Sequence, residues 1–293
     1  MEARGIRDQI VVATKYTTNY KRGANIAQKI NYAGNNLKSL HISVEESPKR
    51  LRTDYIDILH LHWWDWDTSV EEVMNGLHYL VAARKVLHLK ANQYARMAGK
   101  TPFVMYQGSW SIMQRDFERD MLPMARSEGL ALAPFRVLAG GMIRTDGKEE
   151  RRKGSGGDGR TISRPDWLRM EAERKVCKAL EEVAAQVGAA NIQAVAIAYV
   201  MQKAPYVFPI VGGRKVEQLE DNMKALDIKL SDEQVKFLEG VLSFDLGFPH
   251  SMVGNGTAHS LTMLNAGHID KWPRPQAIRP EYALVDSESE TGG

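Results

Sequence analysis

The chain has 293 residues, 43% hydrophobic and 26% charged, so it can bury a sizeable core in one large domain or two modest ones. Its 39 basic and 36 acidic side chains leave a formal charge of +3, too balanced for a protein that mainly binds nucleic-acid phosphates. The longest apolar run, residues 194–201, is far shorter than the roughly 20 residues that span a bilayer, and the first ten residues lack the apolar segment of a secretory signal. With only one cysteine, Cys177, an internal disulfide and a cysteine-based metal cage are excluded, and a cytoplasmic location is expected.

Short runs of mostly apolar residues, typical of strands covered on both faces, alternate along the chain with helical patterns. The predicted strands are Gln9–Thr14, Tyr55–Leu61, Lys85–Leu89, Phe103–Tyr106, Leu130–Phe135 and Val207–Val211. This alternation predicts an α/β protein with a parallel sheet, either a barrel or a doubly wound sheet.

Two helices are predicted in the first third of the chain. Ser39–Leu51 has helical character, but Pro48 lies inside it and is expected to kink it or end it, since an interior proline costs about 3 kcal/mol. Ser69–Ala83 begins with a capping box formed by Ser69 and Glu72.

Further helices are predicted in the second half from apolar stripes and capping residues. The signals are the stripe Val176, Leu180, Val183 and Val187, the cap Asn191, the stripe Val216, Leu219, Met223 and Leu226, and the cap Ser231 with Gln234.

Residues 145–164 are Gly-rich, charged and without apolar periodicity. They predict a mobile surface loop, or alternatively a loop that covers a cofactor, since long loops inside compact domains are often lids. The polar residues 256–293 are expected to form a loose tail, which leaves residues 1–255 as one domain.

Several motifs together resemble the aldo-keto reductases, and within them the fungal aryl-alcohol dehydrogenases and norsolorinic acid reductases. They are the strand end Ala13–Lys15 (ATK), Asp57–Asp65 (DILHLHWWD), Tyr106–Trp110 (YQGSW), Phe117–Pro134 and Val211–Asn222 (VGGRKVEQLEDN). The resemblance covers residues 5–255 and implies a (β/α)8 barrel, in which catalytic groups lie at the C-terminal ends of the strands.

The resemblance also implies a catalytic site. Lys15 matches the lysine that lowers the pKa of a proton-donating tyrosine in the family, and His62 matches the histidine that hydrogen-bonds the carbonyl oxygen. His60 lies two residues earlier, on the same strand face. Alone, Lys15 would be an ordinary strand-end lysine and His62 a core histidine, but their joint occurrence in matching motifs favours a catalytic site.

The cofactor implied by the resemblance is NADP(H). Gln107 matches the residue that binds the nicotinamide carboxamide, and Trp110 matches the aromatic residue near the nicotinamide ring. Gly140 lies in the turn that approaches the pyrophosphate, where glycine permits close backbone approach.

A second group of matching residues implies a site for the 2′-phosphate of the cofactor, and hence NADP over NAD. An Arg beside a Lys at a helix N-terminus offers a planar fork, a point charge and free backbone N–H groups to a phosphate. The residues are Gly213, Arg214, Lys215, Gln218 and Asn222.

Three tryptophans, Trp63, Trp64 and Trp66, follow His62 almost at once. Core packing at the barrel rim is one interpretation. The other takes Trp63 and Trp64 as an aromatic wall for an aryl substrate.

The sequence also departs from the family. Only six strands are predicted against the eight of the barrel, and the first two, which carry the catalytic Asp and Tyr, have no counterpart. Tyr16, Tyr20 and Tyr32 lie on the wrong side of Lys15 to replace that tyrosine. In addition, only residues 90–102 separate the third predicted strand from the fourth. A family residue that contacts the nicotinamide is therefore expected to be missing, and Asn92 is not a safe substitute for that residue.

We therefore expect an incomplete barrel from a truncated or divergent gene product. Its leading function is NADP(H)-dependent interconversion of aryl aldehydes or aromatic polyketide ketones with their alcohols, as in fungal secondary metabolism. The alternatives are an NADP-binding protein with impaired catalysis and a product without a stable fold. A small aromatic carbonyl or alcohol is the expected partner, with no nucleic acid, membrane or metal; the oligomeric state is left open.

Overall fold

The computed structural model describes residues 1–88, 93–154, 168–254, 258–259, 261–265, 270, 273 and 275–281. The chain divides into two compact units, Met1–Met105 and Tyr106–Gly293. A single domain over residues 1–255, followed by a tail, stays a prediction.

The first unit is built on a parallel sheet with the strand order β1-β2-β3. Its elements are β1 (Ala13–Tyr16), α1 (Leu37–Leu51), β2 (Ile56–Leu61), α2 (Val70–Ala82), β3 (Val86–His88) and α3 (Gln93–Met97), with 3-10 turns at Glu2–Arg4, Arg7–Gln9 and Ile30–Tyr32. The buried side chains of Ile56, Leu59, Leu77 and Val86 join the sheet to α2 in one core.

Three parallel chain segments form the sheet of the second unit. They are β4 (Met105–Tyr106), β5 (Ala131–Leu132) and a single bridge residue, Val207, beside Leu132. The N–H of Ala133 donates to the carbonyl of Tyr106 (2.8 Å), and that of Phe208 donates to the carbonyl of Leu132 (2.7 Å).

The rest of the second unit, as far as the structure describes it, is mainly helical. Its helices are α4 (Met121–Ser127), α5 (Asp146–Gly154), α6 (Glu171–Gln186), α7 (Ile192–Met201), α8 (Val216–Met223), α9 (Asp232–Gly240), α10 (His250–Val253) and α11 (Leu261–Leu264), with 3-10 turns at Asp116–Glu118, Ala139–Gly141 and Lys224–Asp227. The residues of α7 from 194 to 200 are all buried, as expected of a helix that is apolar on every side.

Each of the six predicted strands contains a strand or bridge residue, but the first strand begins four residues late. Residues Arg7–Gln9 form a 3-10 turn, and β1 begins at Ala13. Before β1, the chain is held by the side chain of Asp57. Its Oδ2 accepts hydrogen bonds from the N–H of Val12 (2.8 Å) and from the guanidinium of Arg7 (2.7 Å).

The predicted capping box of α2 forms only in part. Ser69 is the N-cap, and its hydroxyl accepts from the N–H of Glu72 (3.1 Å). The carboxylate of Glu72 does not complete the box; it accepts from the N–H of Leu37 at the start of α1 (2.9 Å). A tertiary contact between two helices therefore replaces the local one.

The expectation that Pro48 ends its helix is wrong, because α1 continues through Pro48 to Leu51, whereas a kink at Pro48 stays a prediction. Pro48 is the fourth residue from the end, and the hydrogen bond that it cannot make is the one to the carbonyl of Val44. The carbonyl of Pro48 accepts from the N–H of Arg52, a left-handed C-cap, which closes the helix normally.

The stripe on α8 is helical as predicted, but its side chains do not enter the core. Val216, Leu219, Met223 and Leu226 remain between 50% and 69% exposed. Helical periodicity here marks a surface face, not a buried one.

The interpretation of residues 145–164 as a loop is wrong for its first half, which is α5. Residues 155–164 lie outside the described residues. An ion-pair cluster replaces the missing apolar face of α5: Glu149, fully buried, accepts from Arg144 (3.0 Å), Arg169 (2.9 Å) and Arg174. Burial alone would raise the pKa of Glu149, but hydrogen bonds from Arg144 and Arg169 lower this pKa to about 2.

In the part of the chain that the structure describes, no helix combines the length and apolar character needed to cross a bilayer.

The Glu149 cluster is expected to stabilise the second unit. Glu149→Gln should lower the free energy of unfolding by about 3–5 kcal/mol, because it leaves buried guanidinium groups without their carboxylate. Glu150→Gln on the same helix, which breaks only the exposed pair with Lys153, should cost at most about 1 kcal/mol. Urea unfolding at pH 7 measures both.

The same cluster predicts a pH dependence. The pKa of Glu149 is lower in the folded than in the unfolded chain, so its stabilisation is complete above about pH 5 and is lost as the pH falls towards about 2. Unfolding curves between pH 7 and pH 3 should have a smaller pH slope for Glu149→Gln than for the wild type. Parallel slopes would contradict the assignment.

Candidate active site

The register of β1 and β2 brings the predicted catalytic strand ends together. Lys15 lies directly opposite His60, and Tyr16 opposite Leu61. Cα partners in adjacent strands point their side chains to the same face of a sheet, so Lys15 and His60 share a face. His62 follows two residues after His60, just past the end of β2, and its N–H donates to the carbonyl of Tyr16 (3.3 Å).

The imidazole of His62 has two close neighbours. Its Nδ1 lies 2.9 Å from the hydroxyl oxygen of Thr18, and its ring stacks on that of Trp63 with centroids 5.0 Å apart. Burial and, secondarily, the charge of Lys15 lower the pKa of His62. Burial likewise lowers the pKa of Lys15. Because its ordinary pKa is about 6.5, His62 is neutral at pH 7.

The tryptophans after His62 divide between surface and core. Trp63 is 60% exposed and Trp66 is 87% exposed, whereas Trp64 packs against the core of the first unit. Trp63 thus offers an open ring beside His62, and Trp64 fits the core-packing interpretation better.

A fully buried asparagine joins the chain after β1 to the chain after β2. The N–H of Asn35 donates to Asp65 (2.6 Å), and the N–H of Asp65 donates back to the side-chain oxygen of Asn35 (2.7 Å). The side-chain NH₂ of Asn35 donates to the hydroxyl of Thr17 (2.8 Å) and the carbonyl of Trp63 (2.9 Å). We call these hydrogen bonds the Asn35 network.

The Asn35 network holds strained backbone in place. Thr17 has a φ of +95°, a rare value for a β-branched residue. Its carbonyl accepts from the N–H of Gly34 (2.9 Å). Gly34 itself has a φ of +82°, and a Cβ there would lie 3.0 Å from the Asp65 carboxylate. Strain of this kind persists only where surrounding contacts enforce it, and it often marks functional sites.

Asn35→Ala should lower the free energy of unfolding of the first unit by about 2–4 kcal/mol, because it leaves buried polar partners without hydrogen bonds. The substitution should also free the loop that carries His62 and Trp63. Chemical denaturation measures the first effect, and hydrogen exchange of residues 62–68 the second. Asp67→Asn, on the exposed part of that loop, is the matched control; equal exchange rates in both variants would refute this function of Asn35.

The two residues of the second unit that are predicted to contact the nicotinamide each have a buried polar side-chain atom. The side-chain oxygen of Gln107 is buried and has no hydrogen-bond partner among the described residues. Trp110 is fully buried, stacks on Phe117 and donates its indole N–H to Glu118 (3.1 Å). Gln107 therefore has an unused acceptor for a ligand donor, whereas the polar atom of Trp110 is already engaged. Asn92 lies outside the described residues.

The predicted pyrophosphate turn has the backbone that glycine permits. Gly140 and Gly141 have φ values of +67° and +96°, and a Cβ on Gly140 would meet only the guanidinium of Arg136, at 4.0 Å. The backbone is therefore open to close approach by a ligand.

The residues predicted to hold a 2′-phosphate form a turn at the start of α8. The N–H of Arg214 donates to the side-chain oxygen of Gln218 (2.7 Å), and Lys215 is the N-cap, without a side-chain capping bond. A Cβ on Gly213 would lie 2.9 Å from Gln218, so glycine is required there. Asn222, four residues beyond Gln218, is buried.

The positive charge of Arg214 in this turn acts on a cation of α5, Arg152. Burial, and then the charges of Arg144 and Arg214, lower the pKa of Arg152. Grouped positive charges of this kind attract an anion.

Sequence reasoning missed Thr18, Asn35 and the carboxylate of Glu118. Thr18 and Asn35 lie in polar turns, where the sequence predicts a turn but not which side chain turns inward. Among the residues of the described ranges, no group of three or more His, Cys, Asp or Glu could hold a metal ion.

Comparisons with known proteins bear on the same residues. The model of the Aldo/keto reductase family matches residues 1–243. An aryl-alcohol dehydrogenase (NADP(+)) from Phanerodontia chrysosporium is 58% identical over 296 residues, covering 96% of this chain and 77% of the relative. Norsolorinic acid reductase B from Dothistroma septosporum is 43% identical over 305 residues, covering 96% and 76%.

A solved structure is similar as well. A thermostable aldo-keto reductase crystallised with the inhibitor epalrestat superposes with a TM-score of 0.58 at 25% identity, covering 80% of this chain and 72% of that chain.

Proposed function

The chain belongs to the aldo/keto reductase family, and from that premise we propose that it is an NADP-dependent oxidoreductase interconverting aryl aldehydes or aromatic ketones with their alcohols. The observation that carries this proposal is the β1–β2 register, which sets Lys15 on the sheet face of His60 with His62 just beyond. Similarity to an aryl-alcohol dehydrogenase and to norsolorinic acid reductase B supports aromatic substrates. A role in fungal secondary metabolism is part of the proposal.

The family fold is a (β/α)8 barrel. In the proposed assignment, the strands β1 to β5 and the bridge at Val207 correspond to six of its eight strands. The pairs β1–β2 and β2–β3 and the bridge between Leu132 and Val207 are parallel, as in a barrel, and Lys15 and His62 lie at or just past the C-terminal ends of strands, where barrel enzymes carry their catalytic groups.

The second unit has the chemistry to bind NADP(H). The unpartnered oxygen of Gln107 can accept a hydrogen bond from the carboxamide NH₂ of the nicotinamide. The open turn at Gly140 suits a pyrophosphate, and Arg214 and Lys215 at the start of α8 suit the 2′-phosphate. Gln218 supports that turn by holding the N–H of Arg214. Trp110 and Asn222, both buried, would act as supports from behind the site.

The first unit supplies groups that act on the substrate oxygen. Reduction of a carbonyl to an alcohol needs a hydride, which bound NADPH would supply, and a proton, which the resulting alkoxide would take from water. A ring N–H of His62 donates to the carbonyl oxygen and orients it, while the ammonium of Lys15 stabilises the negative charge that develops there. The exposed ring of Trp63 offers an aromatic substrate a stacking surface beside His62.

A second candidate function is NADP binding with impaired catalysis. It is favoured by the tyrosines near Lys15. Burial and the charge of Asp65 raise the pKa of Tyr16, and burial and the charge of Glu46 raise the pKa of Tyr20. A proton-donating tyrosine needs a lowered pKa, so neither residue is assigned that role.

Lys15→Met separates the two functions. In the oxidoreductase, aldehyde-dependent oxidation of NADPH should fall at least about 100-fold, because the developing oxyanion loses its cation. Lys38→Met, at an exposed position of α1, should retain the wild-type rate. A wild type that binds NADPH but does not oxidise it would favour the second candidate function. Equal rates of NADPH oxidation in the wild type and in Lys15→Met would contradict the assignment of Lys15 to the active site.

Replacing both Arg214 and Lys215 by Ala should raise the Kd of NADPH about 10- to 100-fold and leave the Kd of NADH nearly unchanged, since only NADPH has the 2′-phosphate. Quenching of tryptophan fluorescence or calorimetry measures both constants. Lys224→Ala, an exposed cation paired with Asp221 just past α8, is the matched control. Equal losses for the two cofactors would refute the phosphate site.

A further inference from the structure

The hydroxyl of Thr18 lies 2.9 Å from Nδ1 of His62, close enough for a hydrogen bond in either direction. We propose that Thr18 is a positioning residue that donates its hydroxyl proton to Nδ1 of His62 and thereby keeps the ring proton of this histidine on Nε2. The proposal rests on the proposed function of His62 as hydrogen-bond donor to the substrate carbonyl.

His62 is neutral at pH 7, because burial and then the charge of Lys15 lower the pKa of its ring. A neutral imidazole has one N–H donor and one bare acceptor nitrogen, so the ring exists as one of two tautomers. Only the tautomer with the proton on Nε2 can donate from that atom.

The contacts of His62 leave only one of its two ring nitrogens for a substrate. Nδ1 faces Thr18, and the ring plane is held against Trp63 at an interplanar angle of 18°. Nε2, on the opposite edge of the ring, is therefore the nitrogen left for the carbonyl oxygen. The partner of one ring nitrogen fixes the chemical role of the other.

The turn after β1 and the Asn35 network hold Thr18 in place. The strained backbone of Thr17, with its φ of +95°, turns the chain sharply after β1. The side chain of Asn35 holds the hydroxyl of Thr17 and the carbonyl of Trp63. The Asn35 network thus fixes the residue before Thr18 and the residue after His62, which sets the two partners at hydrogen-bonding distance.

Nitrogen chemical shifts of the histidine ring test the proposal directly, on the whole protein labelled with ¹⁵N and with no need for turnover. Long-range ¹H–¹⁵N correlation spectra distinguish a bare Nδ1 from a protonated one, and His62→Gln assigns the resonances. Wild type and Thr18→Ser should show a bare Nδ1 and a protonated Nε2. Thr18→Val, which keeps the shape but lacks the hydroxyl, should shift both nitrogens towards a mixture of tautomers. A protonated Nδ1 in the wild type, or spectra of Thr18→Val identical to those of the wild type, would overturn the proposal.

Kinetics supply the second readout. Thr18→Val should lower kcat for aldehyde reduction about 3- to 10-fold, the size expected for one hydrogen bond, with the KM for NADPH unchanged. Thr18→Ser should restore kcat. If the wild type does not turn over, the proposed function fails, whereas the nitrogen shifts still decide the tautomer. A wild-type kcat in Thr18→Val together with a lower kcat in Thr18→Ser would mean that the methyl group, not the hydroxyl, matters, and would overturn the proposal.

Discussion

The reciprocal hydrogen bonds between Asn35 and Asp65 are the constraint on which the candidate site of the first unit depends. A parallel sheet aligns its strand ends, but it does not fix the loops that leave them. Asn35 does so from a fully buried position, by satisfying donors and acceptors on both loops at once. In a low-dielectric environment such a network is rigid because any opening leaves several polar groups unpaired. The strained Thr17 and the stacked pair His62–Trp63 are both held by it.

Charge is used differently in the two units. Around α5, three guanidinium groups surround Glu149, and their hydrogen bonds lower its pKa to about 2, so the cluster is locked in its charged state and stabilises a helix without an apolar face. Around β1 and β2, burial shifts the pKa of Lys15 and of His62 towards the neutral form. The first arrangement resists titration at physiological pH. The second leaves the imidazole of His62 neutral at pH 7, with the hydroxyl of Thr18 beside its Nδ1.

The strands were predictable because their signal is local: β-branched and apolar runs mark buried parallel strands whatever surrounds them. Predictions that needed a partner fared less well. Glu72 has the spacing of a capping box but binds the start of the preceding helix, α1. Residues 146–154 were interpreted as part of a loop but form a helix around a buried carboxylate, and the stripe on α8 is periodic but exposed. In each case the outcome was set by residues distant in sequence, which a local pattern does not record. The end of α1 was misjudged from a single residue: the helix continues through Pro48 to Leu51.

For the candidate site, the sequence by itself determined which residue types are available and where strands end: Lys15 and His62, the glycine turns, and the Arg214–Lys215 pair before α8. The tertiary structure decided how these groups are presented. It set Lys15 opposite His60, and it exposed Trp63 while Trp64 packs against the core. It left the side-chain oxygen of Gln107 without a hydrogen-bond partner among the described residues. It also directed the indole N–H of Trp110 to the carboxylate of Glu118. It also brought Thr18 to His62 across 44 positions of sequence. The physical reason is that exposure, hydrogen-bond satisfaction and tautomer are properties of an environment, which exists only once the chain has folded around the residue.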